Sequence, residues 1–254
     1  MDLAGEVGVD LQNGCVVGPA VSPRLGRSLT VNLTPPGRKA CNFLCAYCVY
    51  GWTDIPSRDE WPGASHIIEA VDRALMSSGP VDAIVLAGNG EPTLHPAFAA
   101  IVDALFCLRA RRSPDATLVL FTNGSTLSRL DVVGSLSRFD RRCVKFDAGD
   151  ATTFGRLNAP SVTLDSVVRS LRAIRNVTLE STFVSDASGL VSNTTPAALD
   201  AWYRAVRRID PLGVEISTPR RTPVGARLLS VPEPALEDIA DVVRAMGIPA
   251  RVFA

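Results

Sequence analysis

The chain of 254 residues has no charge surplus of either sign, only two histidines and no long apolar run. Lys+Arg 26 balances Asp+Glu 26, which disfavours nucleic acid as a partner because nucleic-acid-binding domains usually carry a basic surplus. No stretch reaches the roughly 18 apolar residues that a membrane helix needs, so we expect no membrane segment. Residues 1–6 form neither a basic nor a long apolar segment, so we expect no secretion signal and a cytoplasmic location.

The six cysteines lack the paired spacing of a disulfide framework, and we therefore expect metal or redox chemistry from them. Three of them stand close together at the spacing Cys-x3-Cys-x2-Cys, namely Cys41, Cys45 and Cys48. The others are scattered, and we expect Cys107, on the apolar face of a helix, and Cys143, at the start of a strand, to be small buried residues.

Two metal chemistries suit three close thiols. A structural zinc site needs four nitrogen or sulfur ligands, usually in two short pairs, and neither His66 nor His95 belongs to a second cluster of ligands. An iron–sulfur cubane held by three thiolates keeps one iron open for another ligand. The missing second pair of ligands favours the cluster over zinc.

Short apolar segments alternate with amphipathic segments along the chain. The pattern predicts strands at 29–33, 83–87, 117–121, 143–146, 177–184 and 214–217, and helices at 64–76, 96–112, 131–138, 164–174, 196–209 and 234–246. Such alternation is typical of βαβ units in a parallel α/β sheet. About six units are too few for a closed eightfold barrel, which leaves a partial barrel or a doubly wound sheet. We expect one domain over residues 1–254, with an irregular lead-in at 1–17.

Polar residues follow several of the predicted strands, and active sites of parallel α/β folds lie at that edge. The segment Gly88–Pro96 combines glycines, which allow close backbone approach, with Glu91, whose carboxylate suits an ammonium group; a plain turn with a solvated glutamate is the alternative. Asn123 and Asp147 follow the next two strands, although Asn123 is also part of a common turn dipeptide.

Two further features near these strand ends have alternative interpretations. Arg220 and Arg221 follow the last predicted strand, where guanidinium groups suit a carboxylate or a phosphate, or form a solvated basic loop. His95 either contacts substrate or caps a turn.

The cysteine spacing and the Gly88–Pro96 segment resemble motifs of the radical S-adenosylmethionine (SAM) enzymes; Asn89 replaces the first glycine of their Gly-Gly-Glu-Pro motif. The resemblance implies a partial (β/α)6 TIM-like barrel and a [4Fe–4S] cluster on the three close cysteines, with SAM on the fourth iron. It also implies that an electron from the cluster cleaves SAM to a carbon radical, normally 5′-deoxyadenosyl. An external donor of the flavodoxin or ferredoxin type would supply that electron.

The same resemblance assigns the contacts with SAM. The backbone at Gly90 and the carboxylate of Glu91 would receive the amino group, and Tyr47 would lie along the adenine, although a core tyrosine would look the same in sequence. Asn123 and Asp147 would bind the ribose hydroxyls or the methionine carboxylate.

A longer likeness, from about residue 18 to the last helix, is to iron–sulfur oxidoreductases related to tRNA wyosine synthetases. It rests on residues 18–36, 88–96 and 147–150. We expect a small-molecule substrate, because the net charge is zero and Cys15 stands alone before Cys41, where archaeal-type wyosine enzymes carry a second cysteine set. The alternatives are tRNA base modification, transfer of a 3-amino-3-carboxypropyl group, and a non-catalytic metal-binding module.

Overall fold

The computed structural model describes residues 11–51, 55–186, 191–221 and 227–254. Eight strands form one sheet in the order β1-β2-β3-β4-β5-β6-β8-β10, in which only the β1–β2 pair is antiparallel. The strands are β1 (Val16–Ser22), β2 (Gly26–Val31), β3 (Ala83–Leu86), β4 (Thr117–Thr122), β5 (Arg141–Lys145), β6 (Thr178–Thr182), β8 (Gly213–Ser217) and β10 (Ala250–Phe253). Two short strands, β7 (Val184–Asp186) and β9 (Leu228–Ser230), pair separately.

Helices cover one face of this sheet. They are α1 (Ala64–Ser78), α2 (Phe98–Arg112), α3 (Leu130–Ser135), α4 (Ala151–Asn158), α5 (Leu164–Ile174), α6 (Pro196–Ile209) and α7 (Glu233–Ala245). Their buried side chains join every second strand side chain in one large core, as the two-residue period of strands requires. None of the helices in the described ranges is long and apolar enough to cross a bilayer.

The opposite face of the sheet has an apolar part and a charged part. Its apolar cluster consists of Ala83, Val85, Val119 and Cys143. Arg24, in the turn between β1 and β2, pairs with Glu180 at 2.9 Å and with Glu215. Its guanidinium also lies 4.9 Å from the ring centre of Phe121. Arg24 therefore links the β1–β2 turn to the middle of the sheet.

The sheet curls into an open half-barrel, so the prediction of a partial (β/α)6 barrel is confirmed. All six predicted strands and six predicted helices occur, with ends shifted by a few residues. The structure adds β1, β9, β10 and α4, and it divides the strand predicted at 177–184 into β6 and β7. Strand β1 begins at Val16, inside the lead-in predicted to be irregular, and its register shifts between Val17 and Ala20, which hides the alternation. Residues 1–10 lie outside the described residues.

Candidate active site

The three close cysteines line one cavity of about 340 Å³ at the carboxyl ends of β3, β4 and β5. Each cysteine is half-buried. The other lining residues are Lys39, Phe43, Tyr47, Val49, Tyr50, Ala87, Gly88, Gly90, Glu91, Phe121, Thr122, Asn123, Lys145 and Glu180. The fold thus brings the cysteine loop together with the polar residues that follow two of the strands.

One side of the cysteine loop is fixed to the segment after β3. The Ala40 amide donates to the Asn89 carbonyl at 3.3 Å, and the Glu91 amide donates to the Ala40 carbonyl at 2.9 Å. Gly90 lies between these bonds, and a Cβ atom there would stand 1.9 Å from the Ala40 oxygen. The two backbones therefore touch at a place that only glycine can occupy.

The other side of the loop is fixed to the end of α4. The Leu44 amide donates to the Asn158 carbonyl at 2.9 Å, and the Ala46 amide donates to the Leu157 carbonyl at 2.8 Å. Carbonyls in the last turn of a helix have no partner within the helix, so the loop satisfies two of them. Backbone hydrogen bonds thus fix the cysteine loop on both sides.

The thiols suit a cluster better than a single ion. In the part of the chain that the structure describes, no three His, Cys, Asp or Glu side chains form a group that could hold one metal ion. A zinc site would need such a group, whereas each cysteine of a cubane binds a different iron. Burial, aided by the charge of Glu91, raises the pKa of Cys41 to about 12, so the thiolate needs the positive charge that iron brings.

The remaining cysteines, Cys15, Cys107 and Cys143, do not line the cavity. Cys143 is fully buried in the sheet, as predicted. The prediction of a buried Cys107 is wrong, because α2 buries Ile101, Leu105 and Leu108 and leaves position 107 exposed. The described residues therefore offer no fourth cysteine to this site.

Glu91 connects the ends of two strands. Its carboxylate, 2% exposed, accepts hydrogen bonds from the Thr93 amide and hydroxyl, the Thr122 hydroxyl at 2.6 Å and the Asn123 amide at 2.6 Å. Burial raises the pKa of Glu91, and these hydrogen bonds oppose the rise. The carboxylate thereby holds Asn123 at the cavity wall, where the Asn123 side chain donates to Asn42 at 2.9 Å.

Asn89, where the Gly-Gly-Glu-Pro motif has glycine, is fully buried. Its side chain donates to the Gln12 carbonyl at 2.9 Å and accepts from the Gln12 amide at 2.8 Å. A glycine at this position could make neither bond. Asn89 thus attaches the segment before β1 to the site, which the glycine of the motif could not do.

Tyr47 lies in the cavity wall and Asp147 lies behind it. The Tyr47 hydroxyl donates to one oxygen of Asp147, and the Thr182 amide donates to the other at 2.8 Å. Asp147 is 1% exposed and does not line the cavity. Burial and then the Asp147 charge raise the pKa of Tyr47 well above its usual value, so its hydroxyl stays a donor. A ribose contact of Asp147 remains a prediction.

We expect Tyr47→Phe to lower the free energy of unfolding by about 1–2 kcal/mol, because it removes the hydroxyl that donates to the buried Asp147 carboxylate. The matched control is Tyr203→Phe, since the described residues show no hydrogen bond to the Tyr203 hydroxyl. Urea denaturation compares the two, and equal effects would contradict the anchoring contact.

His95 caps a turn, as one of its two interpretations predicted. Its Nδ1 accepts from the Ala97 amide at 3.0 Å, and its Nε2 lies 2.9 Å from the Pro62 carbonyl. Nε2 must therefore carry the proton of a neutral ring, since the carbonyl can only accept. Burial lowers the pKa of His95.

Acidification should destabilise the protein in part through His95. Because its folded pKa lies below the ordinary histidine value of 6.5, its contribution to stability is complete above that value and is lost as the pH falls towards the folded pKa. Between about pH 7.5 and about pH 5, the free energy of unfolding should fall more steeply in wild type than in His95→Asn, which accepts from Ala97 without titrating. Denaturation curves across this range measure both slopes; equal slopes would contradict the prediction.

Sequence patterns gave little weight to Lys39, Lys145 and Asn158, although all three lie at the site. Lys39 and Lys145 are the only lysines among 26 basic residues, and both line the cavity. Lys39 donates to the Gly51 carbonyl at 2.9 Å, and Lys145 lies 5.1 Å from the Tyr47 ring centre. Burial lowers the pKa of Lys145, but nearby carboxylates and thiols raise it overall. Because the chain has only two lysines, their rarity could have marked both as candidate site residues.

Arg220 and Arg221 lie at a second cavity of about 330 Å³, which shares Tyr47 and Val49 with the first. Both arginines are exposed, and Arg220 donates to the Ala254 carbonyl at 3.0 Å. Their role in binding an anion remains a prediction.

The cysteine loop, Glu91 and Asp147 all fall within residues 38–206, which match the family model described as Radical SAM superfamily. The chain belongs to the radical SAM superfamily. Membership of this superfamily implies a [4Fe–4S] cluster and SAM as cofactors, and Cys41, Cys45 and Cys48 fit its CxxxCxxC motif.

Several curated proteins resemble this radical SAM chain. It is 30% identical over 220 residues to a UPF0026 protein of Synechocystis sp., covering 81% of the chain and 76% of the relative. It is 29% identical over 215 residues to a Brachyspira hyodysenteriae protein named GTPase Obg, covering 81% of the chain but 30% of the relative. The chain spans about half or less of the first relatives it matches, and it contains no Gly-x-x-x-x-Gly-Lys-Ser/Thr phosphate loop.

Solved structures share the fold. A radical SAM methyltransferase from Sphaerobacter thermophilus matches with a TM-score of 0.65 at 19% identity, over 91% of this chain and 67% of that one. An archaeal TYW1 matches with a TM-score of 0.55 at 12% identity, over 86% of this chain and 72% of that one. At such identities the likeness shows the fold alone.

Proposed function

We propose that this protein cleaves SAM reductively to a carbon radical, normally 5′-deoxyadenosyl, that modifies a small-molecule substrate. The convergence of Cys41, Cys45, Cys48 and the Glu91 loop on one cavity carries the proposal. When bound, the cluster supplies the electron for cleavage. The chain provides the rigid walls and the polar groups that orient SAM.

The residues around the cavity have separate roles in this proposal. Gly90 brings the backbone close to the amino group of SAM, Tyr47 packs along the adenine, and Asn123 binds the carboxylate or the ribose. Glu91 contributes its charge and fixes Asn123. Asp147 holds Tyr47 in place through the Tyr47 hydroxyl, and its contact with the ribose stays part of the proposal.

The substrate enters through the second cavity, beside Arg220 and Arg221. Support comes from Tyr47 and Val49, which line both cavities, so that a molecule there would lie next to bound SAM. The net charge of +0 favours a small molecule over tRNA. The wyosine-type branch stays a proposal that rests on the shared motifs. The cytoplasmic location is a separate proposal.

The electron comes from an external donor of the flavodoxin or ferredoxin type. The cysteines outside the loop support this: Cys15 precedes β1, Cys107 is exposed on α2, and Cys143 is buried in the sheet. They are too dispersed to hold a second cluster together.

Anaerobic incubation with SAM and dithionite tests the function. The expected product is 5′-deoxyadenosine, identified by mass spectrometry. Release of 5′-methylthioadenosine would instead show transfer of a 3-amino-3-carboxypropyl group. Intact SAM beside a fully reduced cluster would overturn the proposal and favour a non-catalytic metal-binding module.

A further inference from the structure

Asn158, the last residue of α4, connects a cluster cysteine to the buried carboxylate behind the cavity. Its side-chain nitrogen lies 3.3 Å from the Cys45 sulfur and 2.7 Å from an Asp147 oxygen. An ionised carboxylate only accepts hydrogen bonds, so the NH₂ group of Asn158, and not its oxygen, must face Asp147. The two amide hydrogens therefore go to Asp147 and to Cys45.

The side chain of Asn158 acts in this structure as a hydrogen-bond donor. Asn158 is fully buried, and its Oδ1 has no hydrogen-bond partner among the described residues. An unpaired buried acceptor costs about 1–3 kcal/mol. The two hydrogen bonds that the Asn158 nitrogen donates must therefore offset the cost of the unpaired oxygen.

A hydrogen bond to sulfur matters most when the sulfur is negative. The Asn158 nitrogen lies 3.3 Å from the Cys45 sulfur, and a hydrogen bond donated to a charged group stabilises its charged form. In a cluster, reduction adds a further negative charge that the cysteine sulfurs share. Hydrogen bonds to these sulfurs are among the factors that set the potential of an iron–sulfur cluster.

We propose that Asn158 is a positioning residue that raises the reduction potential of the cluster by donating a hydrogen bond to the Cys45 sulfur. The inference rests on the cluster and is independent of which bond of SAM breaks. A higher potential lets the external donor reduce the cluster more completely.

The test is an anaerobic redox titration of the reconstituted protein without SAM, followed by electron paramagnetic resonance. Asn158→Leu keeps the branched shape of the side chain at Cγ and removes the donor. At a fixed potential, its ratio of reduced to oxidised cluster should fall roughly tenfold, which equals 59 mV for one electron. Asn158→Ala also lacks the donor, so its potential should fall in the same direction.

The matched control is Asn193→Leu. Asn193 is equally buried and donates to the backbone carbonyls of Asp147 and Thr182 at 2.9 Å, without touching a sulfur. Its substitution should leave the potential unchanged. An unchanged potential in both Asn158 variants, an equal shift in the control, or loss of the cluster from both Asn158 variants would overturn the inference. A wild-type protein without a reducible cluster would overturn the proposed function instead.

Discussion

Replacing any one of Cys41, Cys45 and Cys48 with alanine should abolish both cluster assembly and SAM cleavage. A cubane on three thiolates cannot lose one of them, because the described residues place no other cysteine at the cavity. We expect the broad absorbance near ~410 nm to disappear, together with bound iron and 5′-deoxyadenosine production.

The control for this experiment is Cys107→Ala. Cys107 is exposed on α2 and does not line the cavity, so iron content, absorbance and SAM cleavage should match wild type. Production of 5′-deoxyadenosine by any of the three loop variants would refute the assignment of the cluster ligands.

Gly90→Ala should have the second largest effect. The added Cβ would stand 1.9 Å from the oxygen and 2.5 Å from the carbonyl carbon of Ala40. Both are backbone atoms, which cannot turn aside as a side chain would, so the cysteine loop itself must shift. We expect a loss of about 3 kcal/mol or more in the free energy of unfolding, and a large loss of bound iron. Urea denaturation and iron analysis measure the two effects.

Gly134→Ala provides the comparison. Gly134 lies in α3, and a Cβ atom there would meet nothing within 4 Å. Alanine favours a helix over glycine by up to about 1 kcal/mol, so this variant should be as stable as wild type or slightly more stable, with full iron content. Equal behaviour of the two variants would show that the contact at Ala40 does not hold the cysteine loop.

The parts of the fold with strong local patterns were predictable from the sequence. Helices α5 and α6 begin and end where the apolar period predicts. Helix α4 was missed because it is short and contains Gly155 and two threonines, which are weak helix formers. Strand β10 was missed because it has four residues and only two residues separate it from Gly247, which follows the last predicted helix.

The site was predictable where its residues are neighbours in sequence. The cysteine loop and the Glu91 segment are local motifs, and both line the cavity. Asn158 and Cys45 are 113 residues apart in the sequence, and no local sequence pattern predicts their contact. The error at Cys107 has a related cause, since a small shift in helix phase moves a residue from the core to the surface.

The proposed function depends on a cubane whose fourth iron is open to SAM. Electron paramagnetic resonance of the reduced protein, recorded with and without SAM, measures this. We expect a [4Fe–4S]⁺ signal whose g-values change when SAM binds. Zinc in place of iron, or a cluster signal that SAM leaves unchanged because a protein side chain holds the fourth iron, would contradict it.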